Sequence, residues 1–167
     1  MKKIITAKIF AASISAMLML TGCGGNGEAV EANATVNEVA EATANGITNA
    51  VMAEIEIPSA MEKTAENLGA YYDIDIATVA EMSVFICGSG AYPDELAVFK
   101  FNDEAAAKAG AEAVQSRLDS QIEIYKDYTP AEMYKLDEAV IITDGNWVAF
   151  VACADNARAK EIIESLL

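Results

Sequence analysis

Apolar and polar residues alternate along this chain with several distinct periods, and each change of period marks an element. Ile9 to Leu20, "IFAASISAMLML", carries no charge and follows Lys2, Lys3 and Lys8. A membrane-spanning helix needs about 20 apolar residues, so this run is too short to span and has the layout of a secretory signal, residues 1–22. From Gly24 to Asn45 there is no Lys, Arg or aromatic residue, and four glutamates are scattered through it. Such a stretch cannot bury enough surface to offset its ordering entropy, which predicts a flexible acidic tether over residues 23–45.

From Gly46 onward the patterning becomes that of a folded domain, residues 46–167, long enough for one core. "ITNAVMAEIEI" places Ile47, Val51 and Ile55 on one helical face, and Pro58 ends that segment. Ser59 and Glu62 have capping-box spacing and predict a second helix ending near Gly69. "MSVFIC" and "ELAVFKF" read as strands, separated by the Gly- and Pro-containing loop "GSGAYPD". A long helix follows from about Asp103 to Lys126, with Ala107, Ala111, Val114, Leu118, Ile122 and Tyr125 as its buried stripe. Thr129, Pro130 and Glu132 start a short helix through "PAEMYKL". "AVIIT" and "WVAFVAC" then form a hairpin across Asp144-Gly145-Asn146, and a last helix is capped by Asp155, with Ile162, Ile163 and Leu166 on its apolar side.

"LAVFKFNDEAAAK" at Leu96 to Lys108 aligns without gaps to "VAFVACADNARAK" at Val148 to Lys160, pairing Asp103 with Asp155 and Ala107 with Ala159. Each copy is strand, strand, helix. The expected fold class is therefore α+β: two ββα units forming a four-stranded antiparallel sheet with helices on one face, preceded by N-terminal helices.

Leu20-Thr21-Gly22-Cys23 ends the apolar leader and resembles the lipobox of bacterial lipoproteins, in which cleavage follows the glycine and the cysteine is acylated on sulfur. That resemblance implies a lipid anchor at Cys23 and an address on the outer face of the cytoplasmic membrane. Each buried methylene of an acyl chain contributes about 0.8 kcal/mol of membrane affinity. The tether would hold the domain about 25 Å from the bilayer by random-coil scaling.

Charge narrows the possible partners. Three of the 11 Lys and Arg lie in the leader, so eight face all 26 Asp and Glu in the remainder. Nucleic acid is excluded as an expected partner, because binding it requires a basic face. Such acidity serves solubility, and leaves cation capture or a basic partner protein as functional uses. The chain has no histidine, which removes the commonest general base and metal ligand. Cys87 and Cys153 lie in apolar runs, where a buried thiol is an ordinary core residue, and a disulfide between them stays open.

The segments "YYDID", "ELAVFKF", "YTPAEMYKL" and "VIITDGNWVAFVACAD", in that order, resemble the bacterial lipoprotein family known as domain of unknown function 4358, typical of clostridia and related monoderm bacteria. The resemblance covers roughly Glu66 to Leu167. It implies an extracytoplasmic, membrane-tethered domain without an established activity, and no catalytic residue carries over from it.

Motif chemistry adds little. Asp73 and Asp75 lack the third ligand of a calcium loop, because Ala77 occupies its place. Gly88-Ser89-Gly90 follows a strand but leads through Pro93 into another strand, whereas phosphate loops open a helix. Ser89 has no histidine to activate it, and two cysteines cannot supply the four ligands of structural zinc. No cofactor or metal is expected. Tyr92, beside the first hairpin loop, and Trp147, directly after the second, are the candidates for contact with an envelope protein or glycan; their alternative role is core packing.

The expectation is a non-enzymatic binding module of the cell envelope. The first alternative is an accessory lipoprotein binding a small molecule or cation, which a contiguous carboxylate cluster would favour. The second is an envelope hydrolase using two acidic residues, which would need a deep cleft and a carboxylate with a raised pKa.

Overall fold

A computed structural model describes residues 42–167 of the chain. The leader, Cys23 and most of the expected tether lie outside these residues. Thr43, in extended geometry, accepts a hydrogen bond from the Gly46 N–H and opens helix α1, Ala44–Glu54. The last three residues of the expected tether, 43–45, are thus the cap and start of this helix. Ile47, Val51 and Ile55 are buried as the pattern predicts.

The second expected helix is corrected. Ser59 has φ of +50°, a turn conformation that an extended N-cap cannot share. Ala60–Lys63 forms strand β1, and a one-turn helix α2, Ala65–Leu68, starts only after it. Its reciprocal cap is Thr64 with Asn67, whose Oδ1 accepts from the Thr64 N–H. Residues with helix-start spacing become a strand because β2 offers them a ladder, pairing Met61 with Ile86 and Lys63 with Val84.

Strands β2, Val79–Cys87, and β3, Glu95–Phe101, form the first hairpin. Helix α3, Glu104–Tyr128, is capped by Asp103, whose carboxylate accepts from the Ala106 N–H. A short 3₁₀ turn, Pro130–Glu132, leads into helix α4, Met133–Asp137. Strands β4, Val140–Asp144, and β5, Trp147–Ala152, meet across a two-residue loop in which Gly145 has φ of +52°, the placement of a type II′ turn. Asp155 caps helix α5, Asn156–Leu166, by accepting from the Arg158 N–H. Ile162 and Ile163 are buried, while Leu166 faces solvent.

The sheet is antiparallel and open, in the order β1-β2-β3-β5-β4. It therefore has five strands where four were expected, the fifth being β1. A second correction concerns the helices, which cover both faces rather than one. Leu96, Val98, Ala149 and Val151 pack with α1 and α5, whereas Ala97, Phe99, Val148 and Phe150 pack with Ala107, Val114 and Leu118 of α3. The reason is register. Each repeat copy keeps its own strand-to-helix packing, with Ala97, Phe99, Phe101 and Ala107 in one cluster and their counterparts Ala149, Val151, Cys153 and Ala159 in the other. Antiparallel pairing sets Ala97 opposite Phe150, not Ala149. Because side chains alternate with period two, that offset turns the second copy to the opposite face.

Candidate functional site

Of the residues singled out in the sequence, Leu20, Thr21, Gly22 and Cys23 lie outside the described residues. Tyr92 is 41% exposed in the loop between β2 and β3. Trp147 is 9% exposed, packs in the α1–α5 core and carries the Lys100 amine 5.0 Å over its ring. The two rings do not meet. Tyr92 precedes β3, whereas Trp147 pairs with Lys100 at the far end of that strand. Asp75 accepts from the Ala77 N–H and so serves as a turn cap. Ser89 Oγ lies 3.2 Å from Cys87 Sγ and accepts from the Ala91 N–H, which ties the loop together. Cys87 and Cys153 are buried free thiols, and burial pushes the Cys153 thiol up to about 11.

What the structure assembles instead is a charged network on the α3 side of β3. Glu95 is fully buried. Its Oε1 accepts from the Tyr72 hydroxyl, and its Oε2 accepts from Arg117 Nε and Nη2 at 3.2 and 2.8 Å and from Gln121 Nε2 at 2.7 Å. Burial, followed by the Glu95 charge, raises the Tyr72 hydroxyl well above its ordinary value. Burial works against the Arg117 charge, but Glu95 more than offsets it and the guanidinium pKa is raised.

A second buried pair adjoins the first. Lys135 Nζ lies 2.7 Å from Asp94 Oδ2 and 2.8 Å from Glu132 Oε2. Burial lowers the Lys135 pKa, yet its hydrogen bonds to Asp94 and Glu132 reverse this and hold it at about 12. Burial raises the Asp94 carboxyl against the pull of Lys135. These residues were not legible as a site. The one sequence signal was Arg117 and Gln121, four apart on α3 and flanking Leu118 of its apolar stripe.

Around this pair the surface is aromatic. Lys135 Nζ stands 5.2 Å from the centre of the Tyr92 ring and 5.9 Å from that of Tyr134. The Tyr125 hydroxyl donates to the Tyr92 carbonyl at 2.9 Å, and its ring meets Tyr128 edge-on at 6.4 Å. Tyr128 and Tyr134 are 66% and 46% exposed, and Ile124 is also exposed on α3. Four tyrosines from the β2–β3 loop, the end of α3 and α4 thus share one end of the sheet. Among the described residues, no group of three or more Cys, Asp or Glu could hold a metal ion, and no helix is long and apolar enough to cross a membrane.

No curated protein and no solved structure matches the chain. A family model described as a domain of unknown function (DUF4358) matches residues 53–153. That span runs from the end of α1 through all five strands to the residue after β5, and it contains both buried charge clusters and all four tyrosines. The order of segments that the sequence resembled and the match over most of the folded residues agree: the chain belongs to the DUF4358 family.

Proposed function

We propose that this protein is an extracytoplasmic lipoprotein, anchored through acylated Cys23 on the outer face of the cytoplasmic membrane, whose folded part docks a partner in the cell envelope without catalysing a reaction. The observation that carries the docking reading is the tyrosine face of Tyr92, Tyr125, Tyr128 and Tyr134. Tyrosines supply large contact area at low entropic cost and dominate binding energy where they cluster. The anchor rests on the leader and Leu20 to Cys23.

The hydrolase alternative is disfavoured by geometry. Glu95 accepts from every donor around it, and Asp94, whose pKa is raised, is 1% exposed and bound by Lys135 rather than open to a cleft. The cation alternative has no group of three or more Cys, Asp or Glu placed to hold a metal ion among the described residues.

One experiment tests both halves. The full chain is expressed in a monoderm bacterium with a photo-crosslinking side chain at Ile124, or at Glu161 on α5 as a control. A discrete adduct from Ile124 alone, lost on Tyr128→Ala with Tyr134→Ala, supports docking, and release of the protein from membranes by Cys23→Ala supports the anchor. Equal adducts from both positions would sink the docking reading, and unchanged membrane retention of Cys23→Ala would sink the anchor.

A further inference from the structure

The two edges of the sheet are protected very differently. β1 at one edge has four residues, among them Glu62 and Lys63, which are short-strand and charged-side-chain guards against further pairing. β4 at the other edge reads Val-Ile-Ile-Thr-Asp, with four β-branched residues and neither lysine nor proline. Among the described residues its sole strand partner is β5.

A groove flanks this edge on each face of the sheet, and Thr143 lines both. On the α3 side a hollow of about 540 Å³ is lined by the buried or half-buried Ala107, Ala111 and Ile141 and by the exposed Glu104, Lys108 and Glu112. On the α5 side one of about 220 Å³ is lined by Ile142, Asp144, Glu164 and Leu167. A strand added to β4 would send successive side chains to opposite faces. Alternate residues would meet Ala107, Ala111 and Ile141 between side chains of both charges, and the residues between them a groove whose charged lining, Asp144 and Glu164, is acidic alone.

We propose that the β4 edge captures an extended segment of a partner protein by strand addition, and that the segment alternates apolar and basic side chains. Backbone hydrogen bonds to β4 would supply affinity and the two grooves the selection, as in other strand-addition modes. Charge argues for this occupant over a second copy. Pairing β4 with its own copy would bring together two chains in which eight Lys and Arg face 26 Asp and Glu outside the leader, and β4 has no basic residue to offer. The proposal rests on the sheet edge and its two grooves, none of whose lining residues is a tyrosine.

The test uses the full chain in neutral detergent and two fluorescein-labelled peptides of about eight residues, one alternating lysine and valine and one with the same residues in two blocks. Binding is read by anisotropy, and protection by amide exchange of residues 140–144. The alternating peptide should bind at least tenfold more tightly than the block peptide and slow exchange at 140–144. Asp144→Lys with Glu164→Lys, both on exposed positions, should weaken it at least tenfold, with only a small fall in melting temperature from loss of the exposed Lys160–Glu164 pair. Equal affinity of the two peptides would reduce the effect to charge attraction and overturn the proposal. So would the absence of binding or of protection at β4. Protection that grows with protein concentration and needs no peptide would assign the edge to a second copy instead, which also overturns it.

Discussion

One face of the sheet is closed almost wholly by hydrocarbon, the other by hydrocarbon with a charged network set into it. On the α1–α5 face, Ile47, Val51, Leu96, Val98, Val151 and Ile163 are packed together, and the buried side chains with polar atoms are neutral: Thr48 Oγ1 lies 2.7 Å from Ser83 Oγ, and Asn156 of α5 accepts from the Cys153 N–H. On the α3 face the Glu95 carboxylate, the Gln121 carboxamide and the Tyr72 phenol are buried together, the half-buried Arg117 guanidinium closes over them, and the Tyr72 ring meets Phe99 edge-on. Truncating an apolar side chain costs its transfer free energy plus the cavity it leaves, but strands no charge. A buried ion network gives little net stability when intact, but removing one partner strands a charge. The family match contains the charged face whole and leaves out α5 and most of α1. The tyrosines, too, adjoin the charged side.

The comparison can be broken most directly at Arg117. Arg117→Ala leaves Glu95 buried with an uncompensated charge and should lower unfolding free energy by about 3–5 kcal/mol in urea titrations. A loss below about 1 kcal/mol would mean that the carboxylate is solvated after all. Tyr72→Phe removes a hydroxyl donor to the same carboxylate and should cost about 1.5–3 kcal/mol.

Tyr72 also sharpens the contrast through pH. Its folded pKa is raised above the ordinary value of 10.0, so its stabilisation is complete below that value and is lost as pH rises through the folded pKa. Lys135, raised from 10.5 to about 12, acts in the same direction. Melting temperature should therefore hold up to about pH 10 and fall steeply between about 10 and 12. In spectroscopic titration, one phenol should ionise only with unfolding, and Tyr72→Phe should remove that step.

Gly110 on α3 gives the next effect in size. An added Cβ would lie 2.1 Å from Phe101 Cζ, so Gly110→Ala should destabilise by about 1–3 kcal/mol although alanine is the better helix former by about 1 kcal/mol. A gain in stability would show that the aromatic packing on this face has slack. On the opposite face Ser83→Ala should cost only about 1 kcal/mol, since the Thr48 hydroxyl keeps the Ala44 and Asn45 carbonyls. Smallest of all is Arg158→Ala. This exposed side chain joins α5 to Glu54 of α1, and its loss should leave the urea midpoint within measurement scatter.

Local pattern was a good guide wherever an element's own residues decide its shape. Asp155 read as a helix cap and is one, and the long helix read as starting near Asp103 is capped there; Ile47, Val51, Val114 and Leu118 read as buried and are buried. Gly145 read as a turn residue and has the positive φ that such a turn requires. The reading failed where two segments had to meet. Ala60 to Lys63 became a strand because β2 lies beside it, and the second repeat copy turned to the opposite face because Ala97 pairs with Phe150. The candidate site was less legible still. Glu95, Arg117, Gln121 and Tyr72 are spread over 50 positions of sequence, and no local spacing tells that their side chains converge.

The sequence by itself determined α1, α3 and α5, the two hairpins, the repeat and the acidic balance, because capping, periodicity and net charge are properties of neighbours along the chain. The tertiary structure alone decided which face each repeat copy covers, which edge of the sheet is left unguarded and which charges are buried together. Those outcomes depend on strand register and long-range contact, and a shift of one residue in pairing would exchange the faces.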